Sequence, residues 1–143
     1  MSASAAYPSD KQPSIRLVMM PRDTNAMGTI FGGVILSHID LAAATEGHLA
    51  HPGRLVTVAM EKVEFRQPVF VGDLVSFFTE TRRIGRTSIT VGVSVWAQRA
   101  LDRSHLVHVT EAQVTLVAVD EELRPTPVGE IGGARPGADL GRA

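Results

Sequence analysis

The sequence predicts an α+β domain in which a curved antiparallel β-sheet wraps one long central helix. Three observations carry that expectation: a helical apolar period from Phe31 to about His51, a period of two through nearly everything after Gly53, and short turns joining the alternating stretches. Long alternating strands with short connections form an antiparallel sheet with one face covered. One helix is available as the cover, and it cannot hide both faces or both edges of five or so strands, so self-association is expected.

Composition narrows the function classes. The chain of 143 residues suits one domain, and a 44% hydrophobic, 20% charged balance is that of a globular protein. A net charge of −1 creates no field that recruits nucleic acid or an anionic membrane, so any anion site has to be local. The absence of cysteine excludes disulfides, thiolate metal ligands and cysteine nucleophiles. No signal-peptide core and no apolar run of about 18 residues is found, which gives the expectation of a cytoplasmic protein without a membrane partner.

Taken in order, residues 1–13 are small, polar and proline-containing and read as a tail. Ser14 to Met20 is a short apolar run that stops at Pro21, a first strand. Pro21, Asp23, Asn25 and Gly28 make a turn-rich stretch that passes through Gly32-Gly33 into the helix, which Pro52-Gly53 ends. At 100° per residue, Ile35, Leu36, Ile39, Ala42, Ala43 and Ala50 share one arc, with Ser37, His38, Thr45 and His48 opposite. Asp40 lies at the margin of that arc and Glu46 inside it. Ala42, Ala43, Ala44 and Gly47 predict a very close approach to the sheet. Strands follow over Arg54 to Phe65, Leu74 to Ile84, Ser88 to Ala97 and His105 to Val119, before a turn from Asp120 to Pro125. The foldable domain is 14–128, and the Gly- and Pro-rich residues 129–143 read as a second tail.

Several residues have two open readings. A helix starting at Gly32-Gly33 points free N–H groups and the positive dipole end at an incoming oxygen, or the glycines only admit a neighbouring backbone. Asp40 is a surface carboxylate or an acid held in a partly dry cleft, fit to act as base or nucleophile. Asn25 suits turn geometry. Nucleotide-loop spacings, both G-x-G-x-x-G and the Walker type, are absent. The five histidines form no zinc spacing, and His48 and His51, at i and i+3, read as surface residues. Arg82, Arg83 and Arg86 around Gly85, with Thr87 and Ser88, suit a phosphate or a solvated hairpin tip.

Five motifs in order resemble a known family. They are Pro21, Asp23, Thr24, Asn25, Gly28, Ile30, Phe31, Gly32 and Gly33 with Asp40; Val56 to Val58; Phe65, Pro68, Val69, Gly72 and Asp73; Gly85, Thr87 and Ser88; and Val117 to Asp120. Together, from about Ile15 to Val128, they are similar to the hotdog-fold acyl-CoA thioesterases of the YciA and cytosolic acyl-CoA hydrolase type. The resemblance implies a single hotdog domain that hydrolyses acyl-CoA, with Asp40 as the catalytic carboxylate, base or nucleophile, and Asn25 of the partner subunit orienting the water or the thioester. Gly32 and Gly33 would polarise the thioester carbonyl. Thr57, Arg82, Arg83, Gly85, Arg86, Thr87 and Ser88 would contact the substrate or its CoA moiety. CoA is then part of the substrate, and no separate cofactor or metal is expected. The implied partner is a second copy, in a dimer that assembles further into a tetramer or hexamer. Glu46 departs from the family's small or apolar residue. The alternatives are a hotdog domain that binds acyl-CoA without cleaving it, and a hydratase, which needs a histidine near the helix start.

Overall fold

The computed structural model describes residues 5–130. Five strands form one antiparallel sheet: β1 (Ile15–Val18), β2 (Arg54–Glu61), β3 (Leu74–Ile84), β4 (Ser88–Gln98) and β5 (Leu106–Val119), in spatial order β1-β3-β4-β5-β2. The helix α1 (Gly32–Ala50) lies in its concave face. This is the α+β arrangement expected from the sequence.

The strand alternation becomes the core directly. Ile89, Val91, Val93 and Val95 of β4 are buried towards the helix, opposite Leu116, Val114, Ala112 and Thr110 of β5. On α1 the buried residues are Ile35, Ile39, Ala42, Ala43 and Gly47, while Leu36 and Ala50 of the predicted arc are half-buried. Glu46 is also half-buried, and the helix continues through it unbroken. The small residues set the distance of approach. A Cβ on Gly47 would stand 2.6 Å from Leu116 Cδ1 and 3.0 Å from Leu55 Cδ1, so the sheet touches the helix backbone there.

The outer face of the sheet is covered near β3 and β4. Tyr7 sets its ring edge-on to Phe78 and Trp96, at 5.4 and 5.5 Å, and Trp96 stacks on His108 at 4.6 Å. Arg16 donates a hydrogen bond to the Tyr7 hydroxyl at 3.1 Å. Part of the expected N-terminal tail is thereby seated on the sheet. Of the expected C-terminal tail, Gly129 and Glu130 are described, and 131–143 lie outside the described residues.

Two local expectations need correction. The strand read as Arg54 to Phe65 stops at Glu61, because Lys62 takes a left-handed conformation (φ 60°) that breaks the pairing. His51, read as a surface residue, is 1% exposed; it caps α1, and its Nδ1 accepts a hydrogen bond from the Gly129 N–H at 3.1 Å.

The close seat of the helix predicts the effect of one substitution. Gly47→Val would force branched carbons against Leu116 and Leu55, and is expected to lower the unfolding free energy by about 1–3 kcal/mol, read as a reduced urea midpoint. An unchanged midpoint would mean that the helix does not lie this close to the sheet.

Candidate active site

The loop that leads into α1 is stitched by its own polar groups. Pro21–Asp23 form a short 3-10 turn whose Asp23 carboxylate accepts the Met20 N–H at 2.9 Å. Gly28 has φ +85°, a turn conformation that glycine adopts without strain. The Asn25 Oδ1 accepts the N–H groups of Met27 and Thr29 at 2.9 and 3.2 Å, and its Nδ2 donates to Thr29 Oγ1 at 2.8 Å. Asn25 therefore holds the turn, and one of its two Nδ2 hydrogens is left over. Both readings of this residue are compatible with one geometry.

This loop delivers the helix start. The Phe31 N–H donates to Asp23 O at 2.8 Å, and the Val34 N–H donates back to Phe31 O at 3.0 Å. The N–H groups of Gly32 and Gly33, in the first turn, have no acceptor within the helix, so they and the dipole form a positive end. Two aromatic rings border it. The Phe31 ring lies against Gly33, and the Phe65 ring stands 3.7 Å from where a Cβ on Gly32 would be. A cavity of about 290 Å³ opens beside Gly32, between the helix start and residues 65–69.

Asp40 sits two turns further along α1, half-buried, and faces β2. Thr57 Oγ1 donates to Asp40 Oδ1 at 2.5 Å. Thr57 pairs across the sheet with the core residue Leu116, and a bulge follows at Val58. Bulges re-aim neighbouring side chains. The bond leaves Oδ2 of Asp40 for other work. Thr57 itself is exposed, on the strand that forms one edge of the sheet.

The predicted phosphate cluster is divided. Gly85, Arg86, Thr87 and Ser88 do form the β3–β4 turn, closed by Gly85 N–H to Ser88 O at 2.8 Å, with exposed Arg83 and Arg86 beside it. Carbonyls of this turn are tied down by the Ala118 and Val128 N–H groups, each at 2.8 Å. Arg82 is not part of it. It is the extra residue of a bulge between Thr81 and Arg83, and its guanidinium lies across Gly92 on the outer face, beside Lys62, Arg66 and Glu111. Residue order along the strand does not reveal such a diversion.

In the sequence Phe65 is only a member of a motif, and its place beside Gly32 comes from the fold. The same motif supplies its support. Asp73 is buried, accepts the Phe70 N–H at 2.9 Å and pairs with Arg99 at 2.6 Å. Arg99 also donates to Pro68 O at 3.0 Å and lies over the Phe70 ring, 4.8 Å from its centroid. Among the described residues, no three His, Asp or Glu side chains converge on a metal position. No helix among them is long and apolar enough to cross a membrane.

Known proteins share both sequence and architecture. Residues 27–101 match the family model described as the thioesterase superfamily, a span holding Gly32, Gly33, Asp40, Thr57 and Phe65. The acyl-CoA thioester hydrolase YciA of Escherichia coli is 37% identical over 113 residues, 78% of this chain and 86% of that protein. The hexameric hotdog-fold thioesterase Cj0915 of Campylobacter jejuni superposes with a TM-score of 0.78 at 43% identity, covering 84% of this chain and 92% of that one. An acyl-CoA hydrolase of Staphylococcus aureus, solved with butyryl coenzyme A and coenzyme A, gives 0.72 at 26% identity, over 80% of this chain and 69% of that one. The order of elements, the helix within the sheet and these matches lead to one conclusion: the chain belongs to the thioesterase superfamily, as a hotdog-fold member.

Proposed function

We propose that this protein hydrolyses acyl-CoA thioesters to a carboxylic acid and CoA. The observation that carries the proposal is the hydrogen bond from Thr57 to Asp40, which fixes a carboxylate on the same helix that presents free N–H groups at Gly32 and Gly33. A thioester carbonyl develops negative charge on oxygen as it is attacked, and preorganised donors at a helix N-terminus are typically worth about 3 kcal/mol or more of barrier. Asp40, through its free Oδ2, takes a proton from water. The water oxygen bonds to the carbonyl carbon, the C–S bond breaks, and the proton passes to the departing thiolate. The residues and water suffice, with CoA as part of the substrate and no further cofactor.

Helix geometry supports a shared site. Gly32 and Asp40 are eight residues apart, about 12 Å along the axis, whereas reacting groups must come within about 3–3.5 Å. Asp40 of one subunit would therefore act on a thioester held at Gly32 and Gly33 of the other, with Asn25 of that second subunit orienting water or substrate through its remaining N–H. The β2 edge offers the means of assembly. Val56 and Val58 are exposed on it, and pairing two such edges would extend the sheet and close the open side of Asp40. Its superfamily relatives' hexamers are the basis for proposing assembly beyond the dimer. Arg83 and Arg86, exposed at the β3–β4 turn, would meet CoA phosphates, with Gly85, Thr87 and Ser88 supplying backbone and hydroxyl groups. Arg82 would meet the ligand only at the outer face.

The hydratase or dehydratase reading calls for a histidine paired with an acid. His38, the histidine nearest the helix start, has Nδ1 bonded to Val34 O at 2.8 Å and its ring against Phe77, with no carboxylate partner among the described residues.

Purified protein is expected to release free thiol from acyl-CoA, read with a thiol-reactive dye. Asp40→Ala and Asp40→Asn should lower kcat by at least about 10²-fold while retaining the wild-type oligomer. Binding of acyl-CoA without thiol release from wild-type protein would favour the non-hydrolytic domain, and full activity in Asp40→Ala would refute the site. Thr57→Val should lower kcat by about 10-fold with little change in KM, because it loosens the base without removing it. A change confined to KM would instead make Thr57 a substrate contact.

A further inference from the structure

We infer that Phe65 is the residue that sets how much bulk next to the thioester carbonyl this enzyme accepts; this rests on the hydrolase reading of the site. The cavity beside the helix start has a volume of about 290 Å³; Ile30, Ile35, Phe65 and Val69 give it an apolar side, and Arg66 and Gln67 add polar groups to its lining. Its inner wall is apolar and buried: Ile30, Ile35 and Val69 are 6%, 1% and 4% exposed. An apolar recess fits the hydrocarbon side of the thioester, whereas the amides of the pantetheine arm favour the open, hydrated side. The mouth of this recess is Gly32, one of the two proposed carbonyl donors.

Phe65 is one of the two aromatic walls at this helix start, the Phe31 ring lying against Gly33 and the Phe65 ring against Gly32. Its ring atoms stand 3.7 and 3.8 Å from the position of a Cβ on Gly32, which is ordinary contact distance with nothing between. A carbonyl oxygen bonded to the Gly32 N–H at about 2.9 Å puts the first acyl carbons within the same few ångströms, against this ring. Straight chains pass such a wall edge-on, and a branch at the first carbon meets it.

The wall is held, so it can discriminate. Phe65 belongs to a non-strand connection anchored on both sides. The Arg66 N–H donates to Val109 O at 2.9 Å, and Val69 O accepts the Ile30 N–H at 2.8 Å, tying this connection to the loop that starts the helix. Behind it, the Asp73–Arg99 pair fixes Pro68 and Phe70. A ring that is 47% exposed but rooted in this way is a positioned surface rather than core packing.

The test is a pair of isomeric substrates, butyryl-CoA and isobutyryl-CoA, with kcat/KM measured for wild type, Phe65→Ala and Phe65→Leu. The isobutyryl-to-butyryl ratio is expected to rise about 10-fold or more in Phe65→Ala, and by a smaller factor in Phe65→Leu, which keeps the fold if the alanine variant does not. An unchanged ratio in folded variants whose thiol release still requires Asp40 would overturn the role of Phe65 and leave the hydrolase reading intact. Failure of wild-type protein to cleave either substrate, or any longer acyl-CoA, would overturn both.

Discussion

Everything at the candidate site depends on how closely one helix can lie in one sheet. Five strands present a concave apolar face, and α1 is the element that fills it. Ala42, Ala43 and Gly47 let the helix backbone rest almost on Leu55 and Leu116. With a bulkier residue at this contact the helix would ride outward. Asp40 would then leave Thr57, and the helix start would leave the loop that carries Phe65 and Val69. Packing density in the middle of the helix thus fixes the chemistry at one end and along one side.

In the proposed shared site, the same helix supplies both of the complementary halves. Its N-terminus carries the positive end of the helix dipole, and its acid lies two turns away on the side of the β2 edge. The half-buried Asp40, exposed Thr57 and exposed Val56 and Val58 share that region. Such a surface combines an unpaired sheet edge with an incompletely enclosed carboxylate, and pairing with a second copy would resolve both. Asn25 fits this division. Its local bonds build the turn that presents the helix start, so one side chain serves the loop's geometry and has an N–H left for a ligand.

Periodic features were legible in the sequence, and diverted ones were not. β3 runs from Leu74 to Ile84 as its alternation and flanking turns indicate, and β4 and β5 differ from expectation by one residue at an end. Alternation has a direct physical cause in one buried face, so it survives in the residue order. Where a strand ends by a backbone twist, as at Lys62, the residue type gives no warning. The bulge that turns Arg82 away from Arg83 and Arg86 is equally silent, because it is set by pairing with β4. The burial of His51 is equally hidden, because the group that bonds its ring, the Gly129 N–H, lies far along the chain. Asp40 falls at the margin of the buried arc as its spacing indicates, whereas Thr57 is expected from family likeness only as a substrate contact, and its bond to Asp40, like the position of Phe65, comes from the fold.

The central claim is that each site combines Gly32, Gly33 and Asn25 of one subunit with Asp40 of another. Subunit mixing tests it most directly. Asn25→Ala and Asp40→Ala proteins, each expected to lose activity alone, are co-expressed with different tags and the mixed assembly is isolated through both. If the site is shared, every mixed dimer contains one site with both substitutions and one with neither, and thiol release should return to about half the wild-type rate per dimer. A mixed assembly that forms but remains inactive would place Asn25 and Asp40 in the same subunit's site and contradict the account.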